Sequence, residues 1–193
     1  ETKAGGGGWI EPKWFHEDVL TPFTIGGKVN IPGGRYDFAD LQIAHFMPSG
    51  RKLRADVDFR TGTYFDGRRT QVIVTPTWNV NKHLEFGGDY QLSALRFPVR
   101  DESVNIHLLR LRVRTALDAK ASGNAFVQYN STTERFDVNL RLRYNVSEGT
   151  DLWLVYNEGL DTERELDPLL QNRWTPRSVS RAVILKYSHT FTF

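Results

Sequence analysis

The chain has 193 residues, enough for one domain, and 25 Lys and Arg against 23 Asp and Glu leave a formal net charge of +2. There is no cysteine, which excludes disulfides, zinc–thiolate sites and thiol nucleophiles. The mean hydropathy is -0.46, and no apolar run approaches the ~20 residues that a membrane helix needs, so a membrane-spanning form of this chain must use strands.

Apolar and polar residues alternate along most of the chain. Residues 1–12, which include four consecutive glycines, are predicted to form a flexible leader, and residues 13–193 a single β domain. In the clearest stretch, 139–146, Leu140 and Leu142 fall on one face and Arg141 and Arg143 on the other. The predicted strands are 13–26, 35–47, 51–62, 69–80, 83–94, 104–117, 122–130, 134–146, 151–158 and 179–193.

The predicted connections alternate in length along the chain. Short turns are expected at 48–50, 81–82, 119–121 and 147–150. Longer loops are expected at 26–34, 62–68, 93–103 and 159–178, and only 130–133 is short on that side. Short turns at one end of the strands and long loops at the other are typical of outer-membrane barrels.

The last strand ends on a phenylalanine. Tyr187, His189, Phe191 and Phe193 fall on one face of this strand. A terminal Phe that closes an alternating strand resembles the signal recognised by the outer-membrane barrel assembly machinery, and we predict that role for these four residues. The alternative is an ordinary strand that happens to end the domain.

Several motifs from Ile31 onward resemble a known family. They are Ile31–Tyr36, Phe65–Arg69, Gln128–Ser131, Asn139–Arg143 and Asp151–Gly159. They are similar to the C-terminal part of large bacterial proteins that carry an N-terminal carbohydrate-binding family 9-like domain. The rest of those proteins is a domain of unknown function that is expected to form an outer-membrane barrel. The resemblance implies such a barrel and supplies no catalytic residues; nothing in this chain corresponds to the carbohydrate-binding domain.

Alternation alone does not decide which face points inward. In a membrane barrel the polar face lines the lumen, and aromatic residues such as Trp78, Tyr90 and Tyr144 face lipid. The charged residues then either pair and fill a narrow lumen or form basic and acidic walls of a pore. The predicted lumen-facing network is Arg54, Asp56, Asp58, Arg60, Glu85, Asp89, Arg110, Arg112, Arg114, Asp137, Arg141 and Arg143.

Other site chemistry has little support in the sequence. The five histidines are scattered without ligand spacing, so we predict no metal and no other cofactor. No Ser or Asp lies in a recognisable nucleophile motif, so we predict no enzymatic activity. The aromatics lie mostly opposite the arginines, so we predict no nucleic-acid binding.

The sequence therefore predicts an all-β, up-and-down antiparallel transmembrane β-barrel of about 8–10 strands, or the C-terminal strands of a larger barrel. The expected location is the bacterial outer membrane. The expected role is structural, or a passive pore for polar solutes, with carbohydrates suggested only by the family resemblance. The expected partners are outer-membrane lipids, lipopolysaccharide and the barrel assembly machinery. The alternative is a soluble ligand-binding barrel with its apolar face inward.

Overall fold

The structure is a computed structural model that describes residues 5–162 and 176–190. Within these residues, ten strands form one antiparallel sheet. Adjacent strands of the sheet follow one another along the chain, apart from one small inserted hairpin. The ten are β1 (Gly7–Val19), β4 (Gly34–Phe46), β5 (Leu53–Tyr64), β6 (Gly67–Asn81), β7 (Leu84–Phe97), β8 (Glu102–Ala116), β9 (Ala121–Asn130), β10 (Arg135–Ser147), β11 (Thr150–Asp161) and β12 (Arg177–His189).

The inserted hairpin consists of β2 (Phe23–Ile25) and β3 (Val29–Ile31), which pair only with each other. One short 3-10 helix, Pro98–Arg100, connects β7 to β8. Among the described residues, no helix has the length and apolar character needed to cross a membrane.

The predicted all-β, up-and-down antiparallel fold is confirmed for the described residues. Each of the ten predicted strands overlaps one strand of the sheet. The agreement has a simple cause, because an uninterrupted two-residue alternation permits only an extended backbone with one apolar and one polar face.

The prediction of a flexible leader needs a correction for residues 7–12. β1 begins at Gly7 and pairs with β4 along its whole length, from Gly7 opposite Phe46 to Val19 opposite Gly34. Glycine suits this start, because a Cβ atom at Gly8 would collide with the carbonyl oxygen of Ala44. The strand and its sheet contacts therefore begin before the predicted domain boundary.

The predicted connections also need correction. β1 ends at Val19, before the predicted strand end at residue 26. The hairpin β2–β3 lies in the segment that was predicted as the end of this strand and the loop 26–34. The predicted loops 62–68 and 93–103 are mostly strand, because β5 to β8 extend to tips at 65–66 and 98–101. Phe65 at the first tip and Phe97 next to the second are buried. β11 continues through Asp161, and residues 163–175 of the predicted loop 159–178 lie outside the described residues.

We call the strand ends joined by 47–52, 82–83, 117–120 and 148–149 the turn end, and the opposite strand ends the loop end. The chain divides into two compact units. Unit 1 comprises Glu1–Thr77 and Asp89–Leu108, and unit 2 comprises Trp78–Gly88 and Leu109–Phe193.

The faces of unit 1 follow from the pairing of β4 with β5. Gln42 lies opposite Arg60 and Ala44 opposite Asp58, so these residues share one face with Asp40, which we call the polar face. Ile43 lies opposite Phe59 and His45 opposite Val57 on the other, apolar face. Because successive side chains of a strand point to opposite faces, these pairs also assign the remaining residues of each strand to one face or the other.

The same division holds in unit 2. On the polar face, Asn139 lies opposite Asn157, Arg141 opposite Val155 and Arg143 opposite Trp153. The apolar face carries Leu140 opposite Tyr156, Leu142 opposite Leu154 and Tyr144 opposite Leu152. It continues onto β12 through Val183, Leu185 and Tyr187.

Candidate functional site: the polar face

The most buried charged residue of the polar face in unit 1 is Asp40, which lies at the centre of a charge network. The Asp40 carboxylate is fully buried, accepts a hydrogen bond from Arg69 and lies 3.8 Å from Nε of Arg60. Gln42 donates to Asp58 and accepts a hydrogen bond of 2.8 Å from Arg60, which ties the two carboxylates to the same arginine. Gly62 permits this arrangement, since a Cβ atom there would collide with the backbone of Asp40.

The network is not fully satisfied by its own side chains. Oδ1 of Asp40 and Nε of Arg60 and of Arg69 are buried without a hydrogen-bond partner among the described residues. A buried ion pair whose atoms are only partly hydrogen-bonded contributes less net stability than its Coulomb attraction suggests. It nevertheless fixes the side chains that fill this part of the polar face.

The predicted residues nearest the turn end bond to backbone rather than to opposite charges. Arg54 donates to the carbonyl oxygen of Ser49 at 3.2 Å, and Asp56 accepts from the backbone N–H of Met47 at 3.1 Å. Both contacts fasten β5 to the turn before it. These two residues therefore support the strand connection.

An apolar cluster covers the loop end of unit 1, and we call it the cap. Val29 and Ile31 of the small hairpin are fully buried in it. Phe65, at the tip between β5 and β6, has a φ of 51°, which is uncommon for a bulky residue and is held by the surrounding packing. The buried members of the cap are Val19, Val29, Ile31, Phe38, Phe65, Leu95, Phe97 and Val104.

In unit 2, charged side chains of the polar face pair between neighbouring strands. Glu85 on β7 lies 3.3 Å from Arg114 and 3.9 Å from Arg112 on β8. Arg110 donates to Gln128 on β9 at 3.2 Å. The side chains of Arg112 and Arg114 are 43% and 54% exposed, so this part of the face is much less enclosed than Asp40. Asp89 belongs to the polar face of β7 in unit 1 by strand period.

On β10 and β11, a second group of contacts surrounds Arg143. Arg143 donates to both oxygens of Asp151, at 3.0 and 2.9 Å, and its guanidinium lies 5.6 Å from the ring centre of Trp153. Asn145 also donates to Asp151, at 2.9 Å. Asp137 pairs with Arg135, two positions before it on the same strand, at 3.1 Å.

The apolar face carries polar pairs toward the loop end. His16 and Asp37 lie 2.7 Å apart, and Arg35 lies 3.2 Å from Asp18. On β11 and β12, Glu158 accepts hydrogen bonds from Tyr156 at 2.5 Å and from Arg181 at 2.6 Å. Polar pairs therefore interrupt the apolar face toward the loop end.

The predicted assembly signal is only partly described. Tyr187 lies on the apolar face opposite Leu152 and is 64% exposed. His189 lies opposite Thr150, with 2.7 Å between Nδ1 and the threonine Oγ1. Phe191 and Phe193 lie outside the described residues.

Within residues 5–162 and 176–190, one titratable group outside the strands has a shifted pKa. Asp118, in the turn between β8 and β9, accepts backbone hydrogen bonds of 2.7 Å from Ala121 and from Lys120. These bonds favour the ionised carboxylate and lower the pKa of Asp118 below its ordinary value. Among the described residues, no group of His, Asp and Glu has the arrangement of a metal site.

Sequence reasoning missed several members of the polar face, among them Asp40, Gln42, Arg69 and Trp153. The alternation contained the signal for Trp153, since it stands between Leu152 and Leu154 and must point away from them. The contact of Asp40 with Arg69 joins residues 29 positions apart and depends on strand register, which a single sequence does not specify.

Comparisons with known proteins add no assignment. No protein-family model matches the chain, and searches of curated proteins and of solved structures found no similar protein.

Proposed function

We propose that this chain is an integral β-barrel protein of the bacterial outer membrane with a structural role. The observation that carries the proposal is a reversed polarity in the middle of β4, where polar residues are buried and the large apolar residues that alternate with them are exposed. A membrane-spanning β-sheet has this pattern, because its apolar side chains face lipid and its polar side chains face the interior.

The reversal is clearest on β4. Asp40 and Gln42 are 4% and 8% exposed, whereas Leu41 and Ile43, which alternate with them, are 39% and 38% exposed. In water each exposed apolar Å² forfeits ~25 cal/mol relative to burial, so a soluble sheet would cover Leu41 and Ile43. The alternative of a soluble barrel with its apolar face inward requires the opposite pattern.

The limits of the apolar surface also fit a membrane. On β4 the apolar face carries Ala39, Leu41 and Ile43 between Asp37 toward the loop end and His45 toward the turn end. On β11 and β12 it carries Leu154 and Leu185 between the Glu158–Arg181 pair and His189. An apolar band bounded by polar residues at both ends supports a lipid-spanning sheet, and the strand lengths of 10 to 15 residues meet the ~9–11 required.

Closure into a barrel is part of this proposal. Within the described residues the sheet has an even number of strands in up-and-down order, so β1 and β12 run in opposite directions and would close as an antiparallel pair. Closure removes the two sheet edges, whose unpaired backbone groups lipid cannot satisfy. The alternative within the same function is closure through further strands of a larger barrel. Lipids and lipopolysaccharide would contact the apolar face, and the assembly machinery would bind β12.

The test uses two tryptophans on opposite faces. Trp78, on the apolar face, is 49% exposed, and Trp153 lies on the polar face. Two single-tryptophan variants, with the other four tryptophans changed to Phe, are refolded into vesicles whose acyl chains carry bromine. We expect strong quenching of Trp78 and little of Trp153. Equal quenching of both, or a monomer that is folded and soluble in plain buffer, contradicts the proposal. Faster migration of the unboiled protein in SDS serves as the folding control.

A passive pore for polar solutes is the second candidate. The half-exposed Arg112 and Arg114 of unit 2 favour it, because they leave part of the polar face open to water. Arg112→Ala should then change ion selectivity in a planar bilayer while leaving the SDS band shift intact. If correctly refolded protein produces no conductance in the bilayer, the result would favour the structural role alone.

A further inference from the structure

A row of residues crosses three neighbouring strands of unit 2 near the turn end. On β10, β11 and β12, Arg143, Trp153 and Lys186 lie opposite one another and share the polar face. Arg141 is the next residue toward the loop end on that face of β10, opposite Val155. A tryptophan ring therefore stands between two cations on this face, next to the row formed by Arg141, Val155 and Ile184.

The cations in and beside this row differ in whether a carboxylate neutralises their charge. Arg143 is neutralised by Asp151, to which it donates two hydrogen bonds, and it packs over the Trp153 ring. Arg141 and Lys186 are exposed, and within residues 5–162 and 176–190 neither has a carboxylate at ion-pair distance. Two positive charges thus remain available beside a half-buried aromatic ring.

This combination matches one class of ligand. A partly exposed indole offers a flat apolar surface on which a ring can stack, and Arg and Lys side chains bind carboxylates by charge-assisted hydrogen bonds. Sites for small molecules commonly join such an apolar surface to a few placed polar groups. A ligand that carries both a ring and a carboxylate would use both features of the row at once.

We propose that Trp153, Arg141 and Lys186 form a binding site for small cyclic carboxylates on the polar face of unit 2. The ring stacks on Trp153, and the carboxylate lies between Arg141 and Lys186. Arg143 acts as a positioning residue, held by Asp151 so that it supports the indole. The site rests on the proposed function, because it requires the polar face of unit 2 to border water.

The experiment follows the indole N–H signals of the full chain, labelled at tryptophan with ¹⁵N and refolded into detergent micelles. Galacturonate and benzoate are the two probes, and they separate a saturated sugar ring from an aromatic one. Galactose, benzamide and acetate are the matched controls, each of which lacks either the charge or the ring. Disappearance of one signal in Trp153→Phe assigns the reporter.

We expect at least one cyclic carboxylate to shift the Trp153 signal saturably, while its neutral analogue and acetate do not. Lys186→Gln and Arg141→Gln should each weaken binding about tenfold, which corresponds to ~1.4 kcal/mol for one lost charge-assisted contact. Lys82→Gln, in a turn of the same unit, should leave binding unchanged.

Three results would overturn the site. They are the absence of any saturable shift, equal shifts with acetate and the cyclic acids, or an affinity that Lys186→Gln and Arg141→Gln leave intact. Inorganic phosphate acting as well as the cyclic acids would reduce the row to a nonspecific anion surface. The SDS band shift and lipid quenching are measured on the same samples, so a failure of membrane folding is distinguished from a failure of ligand binding.

Discussion

Asp40 and Leu41 are neighbours in the chain, yet Asp40 is 4% exposed and Leu41 is 39% exposed. The peptide between them separates the two environments of this protein, since successive side chains of a strand point to opposite faces. The alternation of side chains divides the other strands in the same way, and the predictions below test the two faces.

A charge in the middle of the apolar face should be costly. Leu41 lies midway between Asp37 and His45, so Leu41→Arg should lower the free energy of unfolding in vesicles by about 2–4 kcal/mol. Leu53, at the turn end of β5, is the matched control, because Leu53→Arg near the interface should cost only about 0–1 kcal/mol. Reversible urea unfolding followed by tryptophan fluorescence measures both variants. Equal costs would show that this face does not span a bilayer.

Removal of one partner of the buried charge network should be more damaging than removal of an exposed charge. Asp40→Ala leaves Arg69 buried without its carboxylate and should destabilise the fold by about 3–5 kcal/mol. Replacing both partners, with Asp40→Leu and Arg69→Met, should recover much of that loss. Asp137, whose side chain is 54% exposed, is the control, and Asp137→Ala should cost at most about 1 kcal/mol. A double variant no more stable than Asp40→Ala would contradict this account.

The cap should depend on the small hairpin. Ile31 is fully buried, so Ile31→Ala should destabilise the cap by about 2–5 kcal/mol and loosen the hairpin from β4 and β7. Limited proteolysis at the segment 26–28 and hydrogen exchange of the Val29 and Ile31 amides measure the loosening. Leu20, in the same connection and 92% exposed, is the control, and Leu20→Ala should change little. Unchanged exchange in Ile31→Ala would mean that other contacts hold the hairpin.

The sequence predicted the strands and their faces more completely than it predicted the side-chain contacts between strands. Alternation such as Leu140, Arg141 and Leu142 fixes both the strand and its two faces, because no other backbone separates these residues so completely. β2 and β3 were missed because three residues are too few to show a period. The partners of Asp40 and Trp153 follow from strand register, and register is set by packing across the whole sheet. Local patterns therefore predicted the two faces, whereas the charge network required the structure.

The turn after β8 provides a prediction about pH. Because the N–H groups of Lys120 and Ala121 bind the ionised carboxylate of Asp118, the pKa of this residue lies below the ordinary 3.8. The stabilisation of the turn should be present above the unfolded pKa and should disappear as pH falls through the lower folded pKa. Carbon-13 titration of the Asp118 carboxyl group in micelles, with the urea-unfolded chain as reference, measures the two midpoints. Asp118→Asn should retain part of the turn protection and Asp118→Ala should lose it, as judged by exchange of the Lys120 and Ala121 amides. Identical midpoints in the folded and unfolded chains would show that the two hydrogen bonds do not form in solution.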